Sequence, residues 1–249
     1  MNAEVLSGEG ICVELDGRTV IDDATLGFEG GMLHAVVGRS GAGKSVLMKA
    51  MTGLLPLHRG FVEVNAGGIY RRLGPGDEEA FAFLRAQVVF VHQDPALLDD
   101  LDVLDNVLFG RIRRRSGTII DDVNTWLNRL SLFELRHRRP RDLSPGAQRR
   151  VALCRALVLA PAVLVVDEPT TGLDPSAAEE VDHALLELAR AGSTAIIVTH
   201  DLRSLERLRP NLTWIHEGRV GWRGPYGDRQ GRAALPACAS LVELLQERT

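Results

Sequence analysis

Short apolar runs alternate with helical periodicity along most of this chain. Leu33–Val37, Val88–His92, Val163–Val166 and Thr194–Thr199 are near-continuous apolar segments rich in β-branched residues, the pattern of strands covered on both faces. A helix is predicted from Lys44 to just before Gly53, with Val46, Leu47, Ala50 and Met51 on one side. A second starts at Pro175. Asp174 caps it, Val181, Leu185 and Leu188 line one face, and Gly192 closes it. From Asp94 to Arg150 strand patterning is absent and Val123, Trp126, Leu127 and Leu130 follow helical spacing, so residues 94–150 read as a helical insertion. Leu212–His216, Glu217-Gly218 and Arg219–Trp222 read as a β-hairpin. The order of elements predicts an α/β fold with a mainly parallel sheet. The tail, residues 224–249, begins glycine-rich and ends with Leu241, Val242, Leu244 and Leu245, the spacing of a short amphipathic helix that docks on its own domain or on another subunit.

The chain has 249 residues, enough for one large domain with a full hydrophobic core. Residues 1–249 are read as one domain, with 94–150 as its subdomain. A net charge of −4 argues against a general nucleic-acid binder. No apolar run approaches the roughly 20 residues of a membrane helix, and the acidic N-terminal stretch does not read as a signal peptide. Cys12, Cys154 and Cys238 are scattered with no C-x-x-C spacing, so reduced, packed thiols are expected rather than zinc or disulfides.

Candidate chemistry begins at Gly38-Arg39-Ser40-Gly41-Ala42-Gly43-Lys44-Ser45, a complete G-x-x-x-x-G-K-[ST] between a predicted strand and a predicted helix. Glycines let the backbone curl so that several N–H groups and a helix N-terminus point at one anion. Lys44 reaches β- and γ-phosphates, and the Ser45 hydroxyl suits Mg²⁺. An ordinary glycine-rich turn has no reason to place Lys-Ser at that point. Downstream, Val163–Val166 ends in Asp167-Glu168, at the edge where α/β sheets bind ligands. Asp167 suits Mg²⁺, and Glu168 suits the hydrogen bond of an attacking water.

Gln93 after the second strand, Leu143-Ser144-Pro145-Gly146-Ala147-Gln148-Arg149-Arg150, Gly172-Leu173-Asp174 and Thr199-His200-Asp201 follow in that order. Together with the phosphate loop and acid pair they resemble the ATP-binding cassette (ABC) ATPases over nearly the whole chain. The resemblance implies a P-loop NTPase core with a mainly parallel sheet, an N-terminal antiparallel β element and an inserted helical subdomain. It implies ATP and Mg²⁺ as ligands and a head-to-tail homodimer around two ATP molecules. The catalytic group would be Glu168, His200, Gln93 and Lys44, and the metal would meet Ser45, Gln93 and Asp167. ATP would lie on Gly38 to Ser45, with Val46 and Leu15 beside it. Leu15 would stand where an adenine-stacking aromatic is usual. Ser144, Pro145, Gly146 and Ala147 would meet the γ-phosphate of the opposite protomer, and Asp174 would lie at the dimer seam.

The sequence departs from the family pattern where Pro145 removes an N–H donor and Ala147 lacks a hydrogen-bonding side chain. A single cassette resembles the separate ATPase subunit of a transporter. It would sit peripherally on the cytoplasmic face of the inner (cell) membrane, with an integral permease as partner and a small cytosolic accessory subunit as a further candidate. The segment Asp94–Leu98 to Asn106–Phe109 would then receive the permease. Gly43–Lys49, Ala96-Leu97-Leu98, Val103–Val107 and the double arginine Arg149-Arg150 resemble the ATPases of Mla-type (MCE-associated) phospholipid transporters. Amino-acid importers, lipoprotein-release ATPases and soluble iron–sulfur assembly cassettes share much of the pattern. A nucleotide-gated module with little hydrolysis is a further reading, prompted by Pro145 and Ala147. Arginines at Arg111–Arg115 and Arg136–Arg141 suit a solvated face, or acidic loops or headgroups.

Overall fold

The computed structural model describes residues 3–114 and 120–228. The N-terminal strands β1 (Glu4–Leu15) and β2 (Arg18–Glu29) form an antiparallel pair. The chain then enters β3 (Leu33–Val37), whose five residues are all buried, and α1 (Lys44–Met51). It returns through β4 (Arg59–Ala66) and β5 (Ile69–Leu73), which complete an antiparallel sheet of order β2-β1-β4-β5. Next come α2 (Glu78–Gln87), with its first turn capped by Asp77, and β6 (Val88–Val91).

Between β6 and the next strand the described residues hold helices and turns but no strand. Helices α3 (Val103–Arg114), α4 (Ile120–Arg129) and α5 (Pro145–Leu157) lie there, with two short 3₁₀ turns between α4 and α5. The main sheet resumes with β7 (Val163–Asp167), followed by α6 (Pro175–Arg190), β8 (Thr194–Val198), α7 (Leu202–Leu208) and the hairpin β9 (Asn211–His216) and β10 (Arg219–Pro225). The main sheet has the order β10-β9-β3-β8-β7-β6. It is parallel throughout except for the β9–β10 hairpin.

Strand alternation sorts the core into two layers. Val36, Val165, Ile196 and Val198 point to one face, where they pack with Leu47, Met48 and Met51 of α1 and with Leu6, Phe28, Val62 and Val64 of the antiparallel sheet. Their neighbours Ala35, Val37, Leu164, Val166, Ala195 and Ile197 point to the other, against Val151 and Leu157 of α5 and Val181, Leu185 and Leu188 of α6. Side chains in a strand alternate between faces, so a sheet covered on both sides must be apolar at every position. That is the physical origin of the continuous apolar runs.

A mainly parallel sheet, an N-terminal antiparallel β element and a helical insertion are all present, as the family resemblance implies. The four predicted strands are present, with His92 and Thr199 just beyond their ends, and the insertion is helical. The expected helix around Leu241–Leu245, and Cys238, lie outside the described residues, as do the side chains of the first arginine cluster. In the second cluster Arg136 is held locally. It donates to the Phe133 carbonyl at 2.7 Å and stacks over that ring. Cys12 and Cys154 are buried free thiols, and burial raises the pKa of Cys154.

Candidate active site at the strand ends

Four neighbouring strands of the main sheet release their chains at the same edge. β3 leads into the phosphate loop, β6 into Gln93, β7 ends in Asp167-Glu168, and β8 leads to His200. A cleft of about 600 Å³ opens there, lined by the phosphate loop together with Gln93, Asp167, Glu168 and His200.

The loop's path depends on two glycines. Gly38 has φ +152°, and a Cβ there would stand 2.3 Å from the Ile215 carbonyl oxygen. Gly43 has φ +95° and precedes α1, and a Cβ there would stand 2.6 Å from the Ile21 methyl. No side chain caps α1, so its first-turn N–H groups and its positive end face the cleft. Ala42 donates to the Arg39 carbonyl at 3.1 Å, which tightens the loop.

Lys44 is buried at 8% exposure, and its Nζ donates to the Gly38 and Arg39 carbonyls at 2.9 and 3.0 Å. Burial holds its ammonium below the usual lysine range, while the charges of Glu168 and Asp167 oppose that shift. Ser45 Oγ donates to Asp167 Oδ1 at 3.0 Å. Burial pushes the Asp167 carboxyl above its ordinary range despite that hydrogen bond.

Glu168 lies just past the strand with φ +52°, and its N–H donates to the Val198 carbonyl at 2.8 Å. This left-handed residue is costly for a non-glycine and breaks the strand's alternation, so both acids line the cleft. Glu168 Oε1 lies 2.7 Å from His200 Nδ1, and Oε2 accepts from Thr171 Oγ1 at 2.9 Å. The acid is thus held by both loops.

The remaining expected residues divide in two. Gly38, Arg39, Ser40, Gly41, Gly43, Lys44, Ser45 and Val46 line the cleft. Ala42 holds the loop from behind and its carbonyl accepts from Gly218. Leu15, expected beside the base, is half-buried against the core; it is Val20 on the neighbouring strand that lines the cleft. Ser144, Pro145, Gly146 and Ala147 are not among its lining residues. They begin α5, where Ser144 Oγ accepts from Ala147 N at 3.2 Å and Pro145 takes the first helical position. An absent N–H costs the helix nothing there. Asp174 is the cap of α6, accepting from Ala177 N at 3.0 Å. Sequence reading missed Val20, Trp214 and Leu205 in the cleft wall. They carry no motif, and only the packing of β2, β9 and α7 around the loop brings them there.

The donor set suits a triphosphate and a hard divalent ion. Ser45 and Asp167 present adjacent oxygens. Hard oxygen donors of that kind suit Mg²⁺, which would take its remaining ligands from phosphate and water.

Comparison with known proteins decides the family. The sequence pattern of the ABC transporter family matches residues 21–171. This chain belongs to that family. The cassette is 32% identical over 233 residues to the phosphonates import ATP-binding protein PhnC 2 of Nostoc sp. (strain PCC 7120), covering 86% of this chain and 89% of that protein. It is also 32% identical over 230 residues to the glutamine transport ATP-binding protein GlnQ of Escherichia coli (strain K12), covering 91% and 92%. The aliphatic sulfonates import ATP-binding protein SsuB 1 of Burkholderia lata is 35% identical, over 96% of this chain and 70% of that protein. A solved ATP-binding subunit of an ABC transporter superposes with TM-score 0.81 at 25% identity, covering 97% of this cassette and 99% of that chain. The enzyme class follows: this is an ABC ATPase domain. No helix of the described residues is long and apolar enough to cross a membrane.

Proposed function

We propose that this cassette is the ATP-hydrolysing subunit of a membrane importer, acting as a head-to-tail homodimer on the cytoplasmic face of the membrane. The observation that carries the reading is the convergence of Lys44, Ser45–Asp167 and the Glu168–His200 pair on one cleft. Phosphoryl transfer asks the protein chiefly to position groups and balance charge. Lys44 moves its Nζ from the loop carbonyls to the β- and γ-phosphates. The α1 N-terminus supplies N–H donors. Glu168 accepts the proton of a water that attacks the γ-phosphorus; the bond to the β-phosphate oxygen breaks, and ADP and phosphate leave. His200 holds Glu168 in place and faces the γ-phosphate. Ser45, Gln93 and Asp167 would hold a Mg²⁺, which would supply positive charge to the phosphate oxygens.

The dimer reading is supported by Ser144–Ala147 standing away from the cleft of their own chain. A helix N-terminus with an exposed serine then completes the anion site of a partner protomer. Closure around ATP favours the closed state because ATP touches both copies. A groove of about 340 Å³ beside β6 suits the permease. Phe90, Leu98 and Phe109 line it, and Arg155 holds its rim by donating to the Pro95 and Ala96 carbonyls.

For cargo, the relatives described above are named for phosphonates import, glutamine transport and aliphatic sulfonates import. These names support a small polar solute over the phospholipid expectation. Uptake of labelled phosphonate, glutamine and sulfonate in a strain lacking this gene, compared with outer-membrane lipid asymmetry in the same strain, separates the two. Glu168→Gln is expected to bind ATP and close the dimer with turnover nearly abolished, read by phosphate release; near-normal steady-state turnover would sink the general-base assignment.

A further inference from the structure

We propose that Thr170 and Asp201 are a positioning pair that keeps His200 matched to Glu168. The inference rests on the site reading above and deepens it. The acid loop and the histidine loop are joined at three points. Glu168 N donates to the Val198 carbonyl at 2.8 Å, the Glu168 carboxylate meets His200 at 2.7 Å, and Thr170 Oγ1 donates to Asp201 Oδ2 at 2.9 Å. The third contact closes a ring. It runs from Glu168 across to His200, one residue on to Asp201, across to Thr170, and back along the chain to Glu168.

The ring has a purpose in mechanical terms. The His200 side chain is 71% exposed, and among the described residues the partner of its ring is the Glu168 carboxylate, so packing does little to fix where its ring points. Thr170, by contrast, is 5% exposed. Asp201 is anchored a second way, since its Oδ1 accepts from Arg203 N at 3.0 Å at the start of α7. That helix is tied to α6 below it, where the buried Asp182 accepts from Ser204 and from Arg207 Nε. The histidine therefore hangs from a residue fixed to the body of the molecule, and the Thr170 hydroxyl sets its distance from the acid. Neither Thr170 nor Asp201 lines the cleft, so both act through their neighbours.

The test uses the purified chain and phosphate release over a series of Mg·ATP concentrations that reaches saturation, with thermal midpoints measured in parallel. Thr170→Val removes the hydroxyl and keeps the shape; it is expected to lower kcat on the order of 10-fold with KM changed less than about twofold, because misplacement of a reacting group acts on turnover. Thr170→Ser is expected to restore kcat. Asp201→Ala is expected to lower kcat at least as far, and adding Thr170→Val to it to cause no further loss, since both remove the same contact. Three results overturn the proposal: kcat unchanged in Thr170→Val, loss of kcat only in proportion to lost folded protein, or multiplying losses in the double variant. Glu168→Gln is run beside them. If it turns over at the unmodified rate, the site reading itself falls; if it is inactive while Thr170→Val is fully active, only the positioning pair falls.

Discussion

Gly38 illustrates how a backbone requirement is written into the sequence. It leaves β3 in a conformation that side chains rarely adopt, against the Ile215 carbonyl. Gly38→Ala is expected to displace the loop and weaken nucleotide binding by tenfold or more, measured with a fluorescent ATP analogue at equilibrium. Lys44→Ala is expected to weaken the same binding, because its ammonium is the buried positive charge beside the loop. The phosphate loop, the acid pair and His200 were legible because such constraints admit few residue types. Val20 and Trp214 were not, since a cleft wall asks only for apolar surface and many residues supply it. The left-handed turn at Glu168 was invisible too, as nothing in Asp-Glu-Pro announces a positive φ.

At the scale of elements, legibility followed burial. Strands β3, β7 and β8 are buried at every residue and read directly from the sequence. The antiparallel sheet was expected only through the family resemblance, without strand limits. Its β1–β2 register shifts at several points, including between Gly8 and Ile11, so the alternation that marks a half-buried strand loses phase. Strand β5 is exposed along all but its last residue, leaving no apolar period to detect. Helix α6 was placed by Asp174 and Pro175, and both perform the capping roles foreseen. Ser144 has the same local role on α5, which sharpens its test. Ser144→Ala is expected to cost about 1 kcal/mol through the lost cap, read by urea unfolding. Turnover is expected to fall well beyond that if the serine also serves the partner's ATP.

Across the whole molecule, the two core layers meet at β3, and His34 sits at its start. It is 3% exposed, its Nε2 hydrogen-bonds the Glu29 carbonyl at 3.0 Å, and it packs edge-on to Phe28. Burial holds its pKa below 6.5, with the Glu29 carbonyl opposing. A base with a lowered folded pKa binds fewer protons folded than unfolded, so stability is full at neutral pH. It is lost as pH falls below 6.5 toward the folded value. The urea-unfolding free energy is expected to fall from pH 7 to 5 more steeply in the unmodified protein than in His34→Gln, which keeps a donor but has no titrating ring. Equal slopes would remove His34 as the cause.

The order β9-β3-β8-β7-β6 has a metric consequence. The loop, histidine, acids and glutamine issue from strands spaced about 4.8 Å apart, so the reacting groups inherit a fixed gauge from hydrogen-bonded backbone rather than from side-chain fit. Helices and surface grooves can diversify around that gauge to meet new cargo. A single residue inserted into β7, however, would turn Asp167 to the opposite face of the sheet and silence the machine while leaving every motif intact in the text of the gene.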